Sequence, residues 1–191
     1  ALAVVGIGLT GLVARLCQAL IPSRPKGEDA SQARYLDPSL RDTPEVALVS
    51  ATRETLRMGD IVEGMLRDCL PVLHDGDRDA IDGVVRRDDA VDALHEQIKL
   101  YVTELTRESL DESESRRCTD IITFTTNLEH IGDIIDKNLM ELAQKRARGR
   151  LRFSDQGWSE ISLLHQRVLG NLQLALTVFV SEDPAIARRL L

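Results

Sequence analysis

The chain has 191 residues, 43% of them hydrophobic, 3% aromatic and 29% charged, with a formal net charge of −7. That length suffices for a substantial core in one or two domains. A carboxylate surplus with few aromatics and no basic stripe argues against nucleic-acid binding and suits cations instead.

Gly and Pro are sparse after the first third, and Leu, Val, Ile and Ala dominate, so the composition favours an all-α protein. The three cysteines, Cys17, Cys69 and Cys118, lie far apart with no C-x-x-C pair. They read as small core residues in a reducing compartment.

Residues 1–14 carry no charge, and Arg15, Arg24 and Lys26 come next. Fourteen apolar residues fall short of the roughly 20 that span a bilayer. Residues 1–20 are read as the C-terminal part of a transmembrane or membrane-proximal helix, whose positive flank would put the rest of the chain in the cytoplasm. A signal-peptide core and a helix buried in the domain itself are the rivals. Residues 21–42, with Pro22, Pro25, Gly27 and Pro38, form a linker in which Arg34, Tyr35 and Leu36 can anchor to the rest.

Asp42 or Thr43 caps a helix over 44–73 with core face Met58, Ile61, Val62, Met65, Cys69 and Val72; Pro71 should kink it or tighten its last turn. A second helix, 77–108, has the seam Ile81, Val84, Asp88, Val91, His95, Ile98, Val102, Leu105. Asp88 thus stands where packing would place Leu or Val, and Asp92 comes four residues later. A third helix, 112–147, repeats the device. Its stripe runs Ile121, Thr125, Leu128, Gly132, Ile135, Leu139, Leu142, with Glu129, Asp133 and Asp136 alongside and Asn127 and Asn138 flanking. Like charges four apart on a helix repel unless something positive lies between them. The run Lys145, Arg146, Arg148 complements the end of that helix as a solvated terminus.

A fourth helix, 155–181, has the seam Trp158, Ile161, His165, Val168, Leu172, Ala175, Phe179. Set 106 positions behind the first helix it aligns Glu54 with Glu160, Val62 with Val168, Leu66 with Leu172 and Asp77 with Asp183. This suggests an internal repeat, whose second copy is truncated after its first helix. Asp183 and Pro184 open a further short helix.

The motifs Asp88-Asp89-Ala90-Val91-Asp92 and Glu129-His130-Ile131-Gly132-Asp133, one on each of two successive helices, resemble the paired signature of the PhoU-like domain. The resemblance covers about Thr43 to the end. It is nearest to the version at the C-terminal end of bacterial sodium/phosphate cotransporters, because Ile134-Ile135 comes directly after the motif and Asn138 lies five after Asp133. It implies an all-α antiparallel three-helix-bundle repeat over 43–149, with a second repeat starting at 150–191. It also implies a cytoplasmic regulatory domain at the inner membrane and a transmembrane transport domain of the same chain as partner, through which alone sodium and phosphate would be met. A homo-oligomer is compatible with it; a nucleic-acid partner is not expected.

Two readings of the carboxylates stand side by side. Asp88, Asp92, Glu129 and Asp133 can converge on a hard cation, Mg²⁺, Mn²⁺ or iron, with Asp136, His95, Asn127 and Asn138 as secondary ligands. The resemblance adds multinuclear metal clusters, iron among them. Alternatively, the carboxylates pair with Arg86, Arg87, Lys99 or Arg117. Asp89 should point outward, His130 should be exposed, and His95 and His165 should be core histidines. No nucleophile motif, phosphate loop or Glu-x-x-His di-iron pattern occurs, so no enzymatic activity is expected. A free-standing phosphate-signalling regulator and a metal-free helical scaffold are the alternatives.

Overall fold

The computed structural model describes residues 29–107 and 109–190; the expected membrane-proximal helix over 1–20, Cys17 and the start of the linker lie outside the described residues. Helix α1 spans Pro44–Asp75, α2 Arg78–Leu105 and α3 Glu112–Asp133. A π-helical segment, Ile134–Met140, continues α3 without a break into α4, Glu141–Gly149. Helix α5 spans Asp155–Ser181 and α6 Pro184–Ala187. The described residues contain no strand, and among them no helix is long and apolar enough to cross a membrane.

Local chemistry sets the boundaries. Gly76, at φ 69°, closes α1 in the left-handed region and donates its N–H to Val72 O. Asp77 immediately caps α2 by accepting from Asp79 N. Asp111 and Glu114 form a reciprocal capping box at the start of α3. Ser154 caps α5 through Gly157 N. Pro71 does not end α1, which continues to Asp75.

The core lies where α1 meets α2, α3 and α5. Met58, Val62, Met65 and Cys69 of α1 face Ile81, Val84, Val91 and Ile98 of α2 and Ile121 and Leu128 of α3, all buried. Burial also raises the Cys69 thiol to about 11, so this residue is an inert packing group. On α5, Leu172, Leu176 and Phe179 are buried, and a Cβ on Gly59 would collide with Leu176. Phe179 stacks on Phe124 at 4.3 Å.

Three seam assignments need correction. On α2 the seam position next to His95 is filled by Leu94, fully buried, while His95 is only half-buried at the margin. On the third rod the stripe holds to Ile135 and then advances by one residue: Met140 and Ala143 are buried, Leu139 is half-buried, and Leu142 is exposed. The π turn supplies the reason, since one extra residue per turn rotates everything after it. On α5, Val168 is 43% exposed, with Leu163 and Leu164 more so; the helix's buried residues, Leu172, Leu176 and Phe179, lie in its C-terminal half, and its N-terminal half touches α1 through Trp158 and His165.

Residues 29–41, expected as linker, are a strap bound across α1 and α2, ending in a 3₁₀ turn at Pro38–Leu40. Arg34 N and Tyr35 N both donate to Glu54 Oε2 at 2.7 Å. Arg53 lies over the Tyr35 ring at 4.2 Å, and Leu36 packs on the core. The anchoring expected of these residues is therefore present.

Candidate metal centre

Asp88 projects from α2 into the contact with α3 at the level of Gly132. Its residue is 4% exposed, and Oδ1 is buried with no hydrogen-bond donor among the described residues. Room for it comes from Gly132. A Cβ there would stand 2.6 Å from Asp88 Oδ1, closer than nonbonded atoms tolerate. In the stripe of α3, Gly132 therefore makes a cradle for a carboxylate.

One turn on, Asp92 approaches from the rim of α2, and Asp133 approaches from α3. One oxygen each of Asp88, Asp92 and Asp133 lie within 4.8 Å of one another. Burial first, then Asp92, Asp136 and Asp133, pushes Asp88 up to about 7, with Lys137 opposing. Asp92 is also raised, by burial and then by Asp133 and Glu129. Asp136 is raised by burial, with Asp89 and Asp133 adding to the effect and Lys137 opposing it. Every acid here that moves does so in the direction that a bound cation would reverse.

Of the four expected ligands, three converge. Glu129 is half-buried beside them, and its Oε2 lies 3.6 Å from His130 Nε2. It borders an open groove of about 900 Å³ that Asp92, His95 and Lys99 also line. Asp136 joins the electrostatics but not the oxygen cluster. His95 Nε2 is engaged with Thr126 Oγ1 at 3.3 Å. Asn127 lines a different groove, with Phe124 and Phe179, and Asn138 is exposed; neither joins the cluster. Asp89 and His130 are exposed, as expected. His165 is half-buried, with Nε2 against Leu66 O at 2.6 Å.

The ion-pair alternative is met by a residue outside the expected set. Arg87 binds Asp68 at 2.7 Å and Arg117 binds Glu182 at 2.8 Å, away from the cluster. Lys137, on the π segment, donates to Asp133 Oδ1. Its spacing of four from Asp133 was the signal available in the sequence. This ammonium is exposed and donates to the rim carboxylate; it acts on Asp88 through space but gives no hydrogen bond to its buried Oδ1. The donor set is all oxygen, two oxygens at the rim and one in a cradle. That chemistry fits a hard cation and not the thiolate and imidazole preference of zinc.

The model for the PhoU domain matches residues 55–142, which contain both acidic motifs and the Gly132 cradle. The protein YjbB of Salmonella typhimurium strain LT2, whose name assigns it a proposed role in inorganic phosphate export, is 38% identical over 179 residues, 94% of this chain and 33% of that protein. Its namesake from Escherichia coli K12 is 39% identical over 178 residues, 93% of this chain and 33% of that protein. The chain thus spans about a third of the length of these relatives. A phosphate-specific transport system accessory protein PhoU homolog of Clostridium acetobutylicum is 27% identical over 82 residues, 42% of this chain and 37% of that protein. No solved structure gives a significant match. The paired motifs, the helical bundle and the family match together place a PhoU domain at residues 55–142.

Proposed function

We propose that this chain is a cytoplasmic regulatory module of a sodium-dependent phosphate transporter, and that it binds a hard divalent cation through Asp88, Asp92 and Asp133. The observation that carries the cation reading is the buried, donor-less Asp88 Oδ1 held in the Gly132 cradle beside two further carboxylates. A buried carboxylate without a partner is costly, and a cation is the compensation that three oxygens offer. The transport reading rests on the relatives matched over nearly the whole chain and named for phosphate export. The partner would be a transmembrane domain of the same protein, and the role regulatory, not enzymatic. The repeat that we read as starting at α5 would continue the bundle.

The match to the Clostridium accessory protein favours a second reading, a free-standing phosphate-signalling regulator. It covers less than half of the chain, so it ranks below the first.

The test is a thermal melt of the metal-stripped chain against Mn²⁺, Mg²⁺ and Fe²⁺, with metal analysis of the purified protein. At a hundredfold excess over Kd a cation stabilises by about 2.7 kcal/mol. Wild type should gain this and Asp133→Asn should not. Identical melts with and without every cation would leave a metal-free scaffold as the better description.

A further inference from the structure

The strap is held by its backbone. Arg57 donates to Ala30 O at 3.0 Å and Gln32 O at 2.8 Å. Gln97 Oε1 accepts from Ala33 N at 3.0 Å, and Gln97 Nε2 donates to Ser31 O at 2.7 Å. Glu54 takes the next two amides, and Tyr101 Oη donates to Asp37 O at 2.9 Å. The bundle supplies all of these partners from side chains of α1 and α2. Strap side chains add packing by Ala33, Leu36 and Leu40, the Tyr35 ring under Arg53, and the Arg41 pair with Glu104.

Gln97 connects this grip to the carboxylates. Its Nε2 also donates to Ala93 O at 2.7 Å, so one amide bridges the strap and the turn of α2 just after Asp92. Asp88, Asp92 and Asp133 bring like charges together across the α2–α3 contact, where they repel unless a cation lies between them. A cation drawing them together fixes that turn, and fixes the position from which Gln97 holds Ser31 and Ala33. We propose that the strap is a latch whose grip is set by the carboxylate site, so that filling the site with a cation tightens the strap and passes the bundle's state to the chain preceding it. This rests on the cation reading above. The backbone grip that the latch uses is made by Glu54 and Gln97, which take the amides of Ala33, Arg34 and Tyr35.

The experiment is hydrogen exchange of amides 33–35 in the whole chain, metal-stripped and with Mn²⁺, while calorimetry monitors Mn²⁺ binding separately. Mn²⁺ should raise protection at these amides about tenfold or more relative to helical amides far from the site. In Gln97→Ala, Mn²⁺ should still bind while the gain at the strap disappears. Ser31→Ala, which leaves the carbonyl in place, should respond as wild type does. Mn²⁺ binding with unchanged strap protection overturns the latch and leaves the cation site standing. A gain that persists in Gln97→Ala overturns the stated route. Absence of Mn²⁺ binding overturns the cation reading and the latch together, and calorimetry tells that case from the first.

Discussion

Glu54 and Asp88 are both buried carboxylates on core-facing helices, 0% and 4% exposed, yet their surroundings are opposite. Glu54 accepts two backbone amides at 2.7 Å and the Arg57 guanidinium at 2.5 Å, and its charge is spent on structure. Asp88 has an oxygen with no donor, three acids around it and a glycine making space for it. Burial is therefore a poor guide to function taken alone. What separates the two is whether the protein itself completes the hydrogen bonding.

The largest effect should come from breaking the satisfied member. Glu54→Ala leaves Arg57 and two strap amides without their acceptor in a desolvated place. The expected cost is about 3–5 kcal/mol, read by urea unfolding, with Glu54→Gln costing less because one acceptor oxygen remains. A loss below about 1 kcal/mol, the range of an exposed ion pair, would mean that Glu54 is not the anchor its geometry describes.

Asp88 should betray itself through pH. Its folded value, about 7 against an ordinary 3.8, means that in the metal-stripped protein the folded chain holds a proton that the unfolded chain has released. The folded state then binds more protons within that window, so stability falls as pH rises through it and levels off above about 7. Asp88→Asn should flatten the fall, and so should a saturating cation. A slope that survives in Asp88→Asn would shift the effect to Asp92 and Asp136, which are raised too, and would weaken the contrast with Glu54.

Third in size is Gly132→Ala. Alanine gains about 1 kcal/mol of helix propensity over glycine, but its Cβ must displace Asp88 Oδ1 from 2.6 Å, and overpacking of this kind costs about 1–3 kcal/mol. A net loss is expected, together with loss of the cation response in the melt. A gain in stability would show that Asp88 has room to move and that the cradle is not a constraint.

The helices, their caps and the acidic pairing were legible because each depends on residues close in sequence. Apolar periodicity marks α1 to α3, and Gly76, Asp77 and Asp111 punctuate them. Asp88 was legible for the same reason, as an acid in a core register. Three things were not. The π turn after Asp133 changes the stripe from Leu142 to Ala143, and nothing in Ile-Ile-Asp-Lys-Asn-Leu-Met distinguishes it from ordinary helix. Glu54 stands out in the sequence only as a match for Glu160 across the repeat: Arg57, three residues on, is visible as a partner, but the other two donors are backbone amides 19 and 20 residues away, which sequence does not display. Glu129 has the spacing of a ligand but sits outside the oxygen cluster, and spacing along one helix does not set its distance from another.

The smallest effect is the one that checks the others. Gly170 lies in the interior of α5, exposed, with nothing within 4 Å of where a Cβ would go. Gly170→Ala should therefore stabilise, by about 0.5–1 kcal/mol, through the backbone entropy that glycine loses on folding and alanine does not. Gly132 and Gly170 are both glycines within helical stretches, so their substitutions share the propensity gain and differ in what the new methyl meets. Opposite signs in the two variants isolate the crowding at Asp88 from any general response of the bundle. If Gly170→Ala instead destabilises, the side of α5 bearing Gly170 is covered in solution, and the apolar Leu163, Leu164 and Val168 on that helix become the first place to look for what covers it.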